Sequence, residues 1–150
     1  MDSDTATALQ NVRDLPENLV SAFYNMLIPA ALVLPSSFWD SYNEDEKILG
    51  LRLCLLLWIA SGLKFMPREF QLKATIALLS GQDVLVDVGT GYGKMICMIL
   101  PCLLYSATIS MVISPLKRLQ AVQLLEFERY GIKTVSINED MPNDPALWQV

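Results

Sequence analysis

The rhythm of hydrophobic and polar positions changes near residues 63–67. Ahead of that point the pattern is helical. Asp14-Leu15-Pro16-Glu17 reads as a helix start with Pro16 in the first turn, and Pro29 ends the apolar stretch that follows. Ser36-Ser37 can cap a short helix bearing Phe38, Trp39 and Tyr42. Asn43-Glu44-Asp45-Glu46 places acid at the start of a helix running through Leu49 to Ala60, and Gly62 stops it. Phe23, Tyr24, Phe38, Trp39 and Trp58 read as packing side chains rather than a stacking platform.

Beyond that point helix and strand patterns alternate. Phe70, Ala74, Ala77 and Leu78 recur at helical spacing and predict a helix over 67–79. Ser80-Gly81-Gln82-Asp83 is a turn, and the apolar run at Asp83 to Asp87 predicts a strand. A glycine-rich loop follows, then a helix over Met95 to Leu104 that contains Pro101. Thr108 to Ile113 predicts a second strand, Pro115 to Tyr130 a helix stopped by Gly131, and Lys133 to Ile137 a third strand. Asn138 to Pro145 is polar and turn-rich. Strands separated by helices predict an α/β fold with a parallel, right-handed sheet. The expected organisation is a helical segment over 1–63 and an α/β segment over 64–150.

Composition supports a real core: 53% of the 150 residues are hydrophobic and the mean hydropathy is +0.37. A net charge of −5 argues against a free-standing polyanion binder and restricts any nucleic-acid footprint to a local patch. Cys54, Cys97 and Cys102 lie in apolar runs without metal-like spacing, so buried free thiols and a reducing, intracellular setting are expected. The absence of histidine excludes His-based catalysis and His metal sites. Leu53 to Leu63 is too short for the roughly 20 residues of a membrane span, and the polar, acidic start Met1-Asp2-Ser3-Asp4 shows no signal peptide.

Three segments carry candidate chemistry. The first is Val88-Gly89-Thr90-Gly91-Tyr92-Gly93-Lys94-Met95, between a predicted strand and a predicted helix. Its glycines let backbone N–H groups turn toward phosphate oxygens, Lys94 can reach terminal phosphates, and the helix start adds a positive dipole end. The same residues also fit a plain glycine-rich turn with a surface lysine. The second is Arg68-Glu69-Phe70-Gln71. An amide can read an adenine edge through paired donor and acceptor, and it can equally be a solvated helix glutamine. The third is Ser114-Pro115-Leu116-Lys117-Arg118, where a helix start with nearby cations can hold a nucleic-acid phosphate. A helix capped by Ser114 with Pro115 first is the compatible, purely structural reading.

Together these segments resemble the first RecA-like lobe of superfamily-two helicases of the DEAD/DEAH-box type, and most closely the RecQ-type DNA helicases. The likeness covers about residues 63–140. It rests on Arg68 and Gln71, on Thr90-Gly91-Tyr92-Gly93-Lys94-Met95, and on Ser114-Pro115-Leu116 with Leu119 and Gln123; Gln71 precedes Lys94 by 23 residues, as in that family. The resemblance implies an incomplete P-loop NTPase sheet and ATP as the nucleotide. Gln71 with Arg68 would recognise adenine, and Thr90 to Lys94 would bind its phosphates, with Lys94 the catalytic lysine. Ser114, Pro115, Leu116 and Lys117 would contact DNA. It further implies a nuclear location if the source is eukaryotic, and a protein partner over the incomplete sheet.

Departures at the loop and in the acidic element bear on activity. Met95 stands where the family carries the Ser or Thr that ligates Mg²⁺, and a thioether is a poor ligand for a hard cation. Asp87 adds a negative charge just before the loop. The acidic D-E-x-H or D-E-x-D element is not found by Val150, and Asn138-Glu139-Asp140-Met141 does not replace it. Weakened or lost Mg²⁺ binding and negligible ATP turnover are therefore expected. The alternative is a non-enzymatic helicase remnant that binds nucleotide or nucleic acid.

Overall fold

The computed structural model describes residues 1–140. Among them are six α-helices and two short 3-10 helices. The α-helices are α1 (Ser3–Arg13), α2 (Glu17–Leu27), α3 (Glu44–Ala60), α4 (Glu69–Leu79), α5 (Met95–Leu104) and α6 (Lys117–Arg129); the 3-10 helices are Ala30–Leu32 and Ser36–Ser41.

α3 is the centre of the molecule. Asn43 starts it with a reciprocal cap: its Oδ1 accepts from the Glu46 N–H at 2.9 Å while the Glu46 carboxylate accepts from the Asn43 N–H at 3.0 Å. Leu53, Cys54, Leu55, Leu56 and Leu57 are consecutive and all fully buried. A helix buried on every side needs neighbours on every side, and α1, α2, α4 and α5 supply them. The helix ends at Gly62 and Leu63, both left-handed at φ +69° and +61°, with the Leu63 N–H returning to the Trp58 carbonyl at 2.8 Å.

Two arginines tie α1 into this core through backbone carbonyls. Arg52 on α3 donates to the carbonyls of Val12 and Arg13 at 2.6 and 3.1 Å, and Arg13 Nε donates to the Leu103 carbonyl at 2.7 Å. Each places a cation at a helix C-terminus, where the carbonyl dipoles favour it. Tyr24, Phe38 and Trp58 are buried; Phe23 and Trp39 are half-buried against the same cluster. Cys54 is buried and Cys97 and Cys102 half-buried, all as free thiols. No helix among the described residues is long and apolar enough to cross a membrane.

The expected α/β parallel sheet is not present. No strand occurs among the described residues, and no ladder hydrogen bond joins 83–87, 108–113 and 133–137. An apolar run records a capacity for burial, whereas a parallel strand exists only when a neighbour pairs with it across a long connection. Here that cover is missing: Leu85, Ile109, Met111 and Ile113 are 94%, 83%, 85% and 86% exposed. The helices between these segments form close to their predicted bounds, because a helix makes its hydrogen bonds within its own segment. The turn expected over 138–145 lies partly outside the described residues.

Candidate functional site

The glycine loop adopts a bent conformation anchored by α4. Gly91 and Gly93 have φ of +83° and +81°, values that only glycine takes without strain. Gln71, in the first turn of α4, is 4% exposed, so the solvated-glutamine alternative does not hold. Its Oε1 accepts from the Arg68 N–H at 2.7 Å, and its Nε2 donates to the Gly93 carbonyl at 2.8 Å. One amide thus satisfies an N-terminal orphan donor of α4 and holds the loop. The Gly93 carbonyl also accepts from the Ile96 N–H at 3.1 Å, inside the first turn of α5. A Cβ on Gly93 would stand 2.9 Å from Gln71 Nε2, so the close approach itself requires glycine.

Lys94 lies across its own loop. Its Nζ donates to the Val88 carbonyl at 2.7 Å and reaches the Gly89 carbonyl at 3.4 Å. Arg68 sits 5.7 Å from the centre of the Tyr92 ring, a cation–π distance. Thr90, Gly91 and Tyr92 are exposed, and Met95 opens α5 immediately after Lys94. The structure therefore gathers Arg68, Gln71, Thr90, Gly91, Tyr92, Gly93, Lys94 and Met95 around one loop. Asp87 is exposed and forms no ion pair among the described residues.

The second group lies at the start of α6. That helix begins at Lys117 with Leu116 at its cap and no side-chain cap bond. The expectation of a Ser114 cap with Pro115 first is thus corrected by two residues. Ser114 instead engages through its backbone: its carbonyl accepts from Gln120 Nε2 at 2.9 Å, while its buried Oγ has no hydrogen-bond partner among the described residues. Pro115 and Leu116 are exposed. Lys117 Nζ pairs with Glu139 and Asp140, each at 2.6 Å. These carboxylates, Asp140 foremost and then Glu139, hold the lysine ammonium above its usual pKa. No hydrogen bond or ion pair among the described residues joins this group to the glycine loop.

Sequence reasoning missed Gln120, Ser136 and Asn138. Gln120 Oε1 accepts from Ser136 Oγ at 3.2 Å and Asn138 Nδ2 at 3.1 Å, linking 136–138 to α6. The only sequence signal for this was a polar side chain one turn into a predicted helix, which is too common to select.

A DEAD/DEAH box helicase family model matches residues 68–145, which spans both groups of side chains.

The chain belongs to the DEAD/DEAH box helicase family.

DNA helicases are among its curated relatives, and so is a protein described as an ATP-dependent RNA helicase. A Caenorhabditis briggsae protein described as a candidate ATP-dependent DNA helicase Q1 is 39% identical over 53% of this chain and 13% of its own length. The Schizosaccharomyces pombe ATP-dependent DNA helicase hus2/rqh1 is 35% identical over 51% of this chain and 6% of its own length. The Haemophilus influenzae ATP-dependent DNA helicase RecQ is 37% identical over 47% of this chain and 11% of its own length. This helicase-family chain therefore spans a small fraction of each of these relatives. No solved structure matches it.

Two groups implied by the family test differently against these residues. A nucleotide fits the loop: Gly91 and Gly93 are left-handed, as a loop that bends around phosphates requires, α5 begins at the loop, and an ammonium already lies within it. Magnesium does not fit as well. Its usual hydroxyl ligand is a thioether at Met95, and the described residues contain no cluster of three or more acid or thiol ligands.

Proposed function

We propose that this chain is the ATP-binding and nucleic-acid-binding part of a RecQ-like helicase, and that it binds ATP better than it hydrolyses it. The observation that carries the reading is the pair of hydrogen bonds of the Gln71 amide, which accepts from the Arg68 N–H and donates to the Gly93 carbonyl. It supports the reading because Gln71, proposed to read adenine, touches the loop proposed to bind the phosphates. ATP would supply the transferable γ-phosphoryl group. Lys94 would leave the Val88 carbonyl for the phosphates, Gly91 and Gly93 would aim N–H groups at them, and Gln71 would turn its amide from its two present bonds to the base, beside Arg68. Residues 64–150 form the ATP-binding segment in this reading, and 1–63 the helical extension. Ser114 to Lys117 would contact one DNA strand.

Met95 favours the second reading, a helicase relative that binds without turning over. Mg²⁺ offsets charge on the β- and γ-phosphates, so losing its hydroxyl ligand harms turnover more than binding. Calorimetry of ATP binding, with and without Mg²⁺, on the chain and on Met95→Thr tests both. The expected result is ATP binding by the native chain that Mg²⁺ barely changes, and Mg²⁺-dependent tightening in Met95→Thr. Absence of ATP binding in both proteins would refute the nucleotide reading. Measurable Mg²⁺-dependent ATPase activity in the native chain would refute the claim of lost turnover.

A further inference from the structure

Among the described residues, Lys117 is the cation of the α6 start that forms ion pairs, with Glu139 and Asp140. Glu139 and Asp140 place two carboxylates on a single ammonium, so that trio of side chains carries a net negative charge. The acidic turn is not held by these pairs alone. Asn138 Oδ1 accepts from the Asp140 N–H at 3.1 Å, and Asn138 Nδ2 donates to Gln120 Oε1 at 3.1 Å. Gln120 in turn donates to the Ser114 carbonyl at 2.9 Å. The turn is therefore fastened to α6 and, through Gln120, to the segment that precedes it.

A second observation in the same segment concerns Ser114. Ser114 Oγ is buried with no hydrogen-bond partner among the described residues, and a buried hydroxyl gains from a polar group that completes it. Carboxylates resemble phosphate oxygens in charge and in hydrogen-bond chemistry.

We propose that the Asn138-Glu139-Asp140 turn is an internal competitor that occupies the phosphate-contacting face of α6 and must be displaced before a nucleic-acid strand binds there. This rests on reading Ser114 to Lys117 as the strand contact. Binding is then an exchange, in which strand phosphates replace the two carboxylates on Lys117 and the turn swings out, losing the Asn138–Gln120 bond. Both ion pairs are solvent-exposed, so the competition is weak and salt-sensitive, and it tunes affinity rather than abolishing it.

The test is fluorescence anisotropy of a labelled single-stranded oligothymidylate with the full chain, at low and moderate salt. The variants are Glu139→Gln/Asp140→Asn, Lys117→Gln, the triple combination, and Asp40→Asn/Glu128→Gln as a control that changes net charge equally at two exposed positions. The expected result is about fivefold tighter binding for Glu139→Gln/Asp140→Asn, against less than about twofold for the control. Adding Lys117→Gln should remove that gain. If the acid-removed variant binds no tighter than the control while Lys117→Gln still weakens binding, the competitor is refuted and the strand contact stands. If no variant binds, or Lys117→Gln changes nothing, the strand contact is refuted and the competitor with it.

Discussion

Gln71 offers a sharp handle on the candidate site, because its two bonds can be altered separately from its volume. Gln71→Met keeps the length and apolar stem of the buried side chain and deletes both the bond from the Arg68 N–H and the bond to the Gly93 carbonyl. Each such bond contributes a net of about 0.5–1.5 kcal/mol, so the loss is about 1–3 kcal/mol. For a chain of this size, 2 kcal/mol corresponds to a fall in melting temperature of about 4–8 °C. Gln71→Glu adds a pH signature. The neutral acid still donates to the Gly93 carbonyl, whereas the carboxylate would face that oxygen with no proton between them. The folded state therefore raises the pKa of the new carboxyl above its unfolded value of about 4.3. A raised folded pKa means the stability is present below the unfolded value and is lost as pH climbs through the folded one. Gln71→Glu should approach the native chain near pH 4 and fall behind it by pH 7, relative to the native protein's own pH profile. Thermal unfolding followed by circular dichroism at several pH values measures both effects. A Gln71→Met protein melting within about a degree of the native chain would refute the bridge, as would a Gln71→Glu protein that tracks the native pH profile.

Two further predictions concern the core. A Cβ on Gly50 would meet Trp39 ring carbons at 2.6 and 2.7 Å and Ile76 Cδ1 at 3.1 Å. Trp39 is flanked by Phe38 at 4.8 Å and Tyr42 at 6.1 Å between ring centres, so it has little room to retreat. Overpacking of about 1–3 kcal/mol should outweigh the roughly 1 kcal/mol that alanine gains over glycine in a helix, and urea denaturation of Gly50→Ala should show a net loss. Burial pushes the Cys54 thiol well above its usual range. Iodoacetamide at pH 8 should therefore leave Cys54 unmodified in the folded chain and label it after unfolding, with peptide mapping by mass spectrometry as the readout. Labelling of Cys54 in the native state would show that α3 is not the sealed centre described.

Helices were legible in the sequence wherever their signals were local. Asn43 with Glu46 fixed the start of α3, Gly62 and Gly131 fixed two ends, and α5 forms over Met95–Leu104 as its apolar run indicates. α1 carried no strong motif, only the Asp2 side chain accepting from the Thr5 N–H, and so it merged into a general helical reading. The three apolar runs misled because burial on both faces is a property of the assembled sheet, and no neighbour pairs with them among residues 1–140. At the candidate site, the residue types and spacing located the loop and Gln71, but not their contact. Gln71 and Gly93 are 22 residues apart, and their bond depends on how α4 and α5 both pack on α3. The pairing of Lys117 with Glu139 and Asp140 is equally non-local, and nothing in the charge pattern near Lys117 announces it.

The continuous burial of Leu53 to Leu57 on α3 has a kinetic meaning for the glycine loop. Amide protons on that helix can exchange with solvent only when the whole packed unit opens, so their protection reports the global stability of the chain. The loop after Val86 has exposed backbone and short-range bonds, and it should open far more often. Gln71 joins these two regimes, with its backbone on a helix packed against α3 and its amide on the loop. A ligand that quiets the loop would then slow exchange first at Gly91 to Lys94, next in the opening turn of α4, and last in α3. That order of protection, read residue by residue, would trace how a local event at the loop is felt by the most stable part of the molecule.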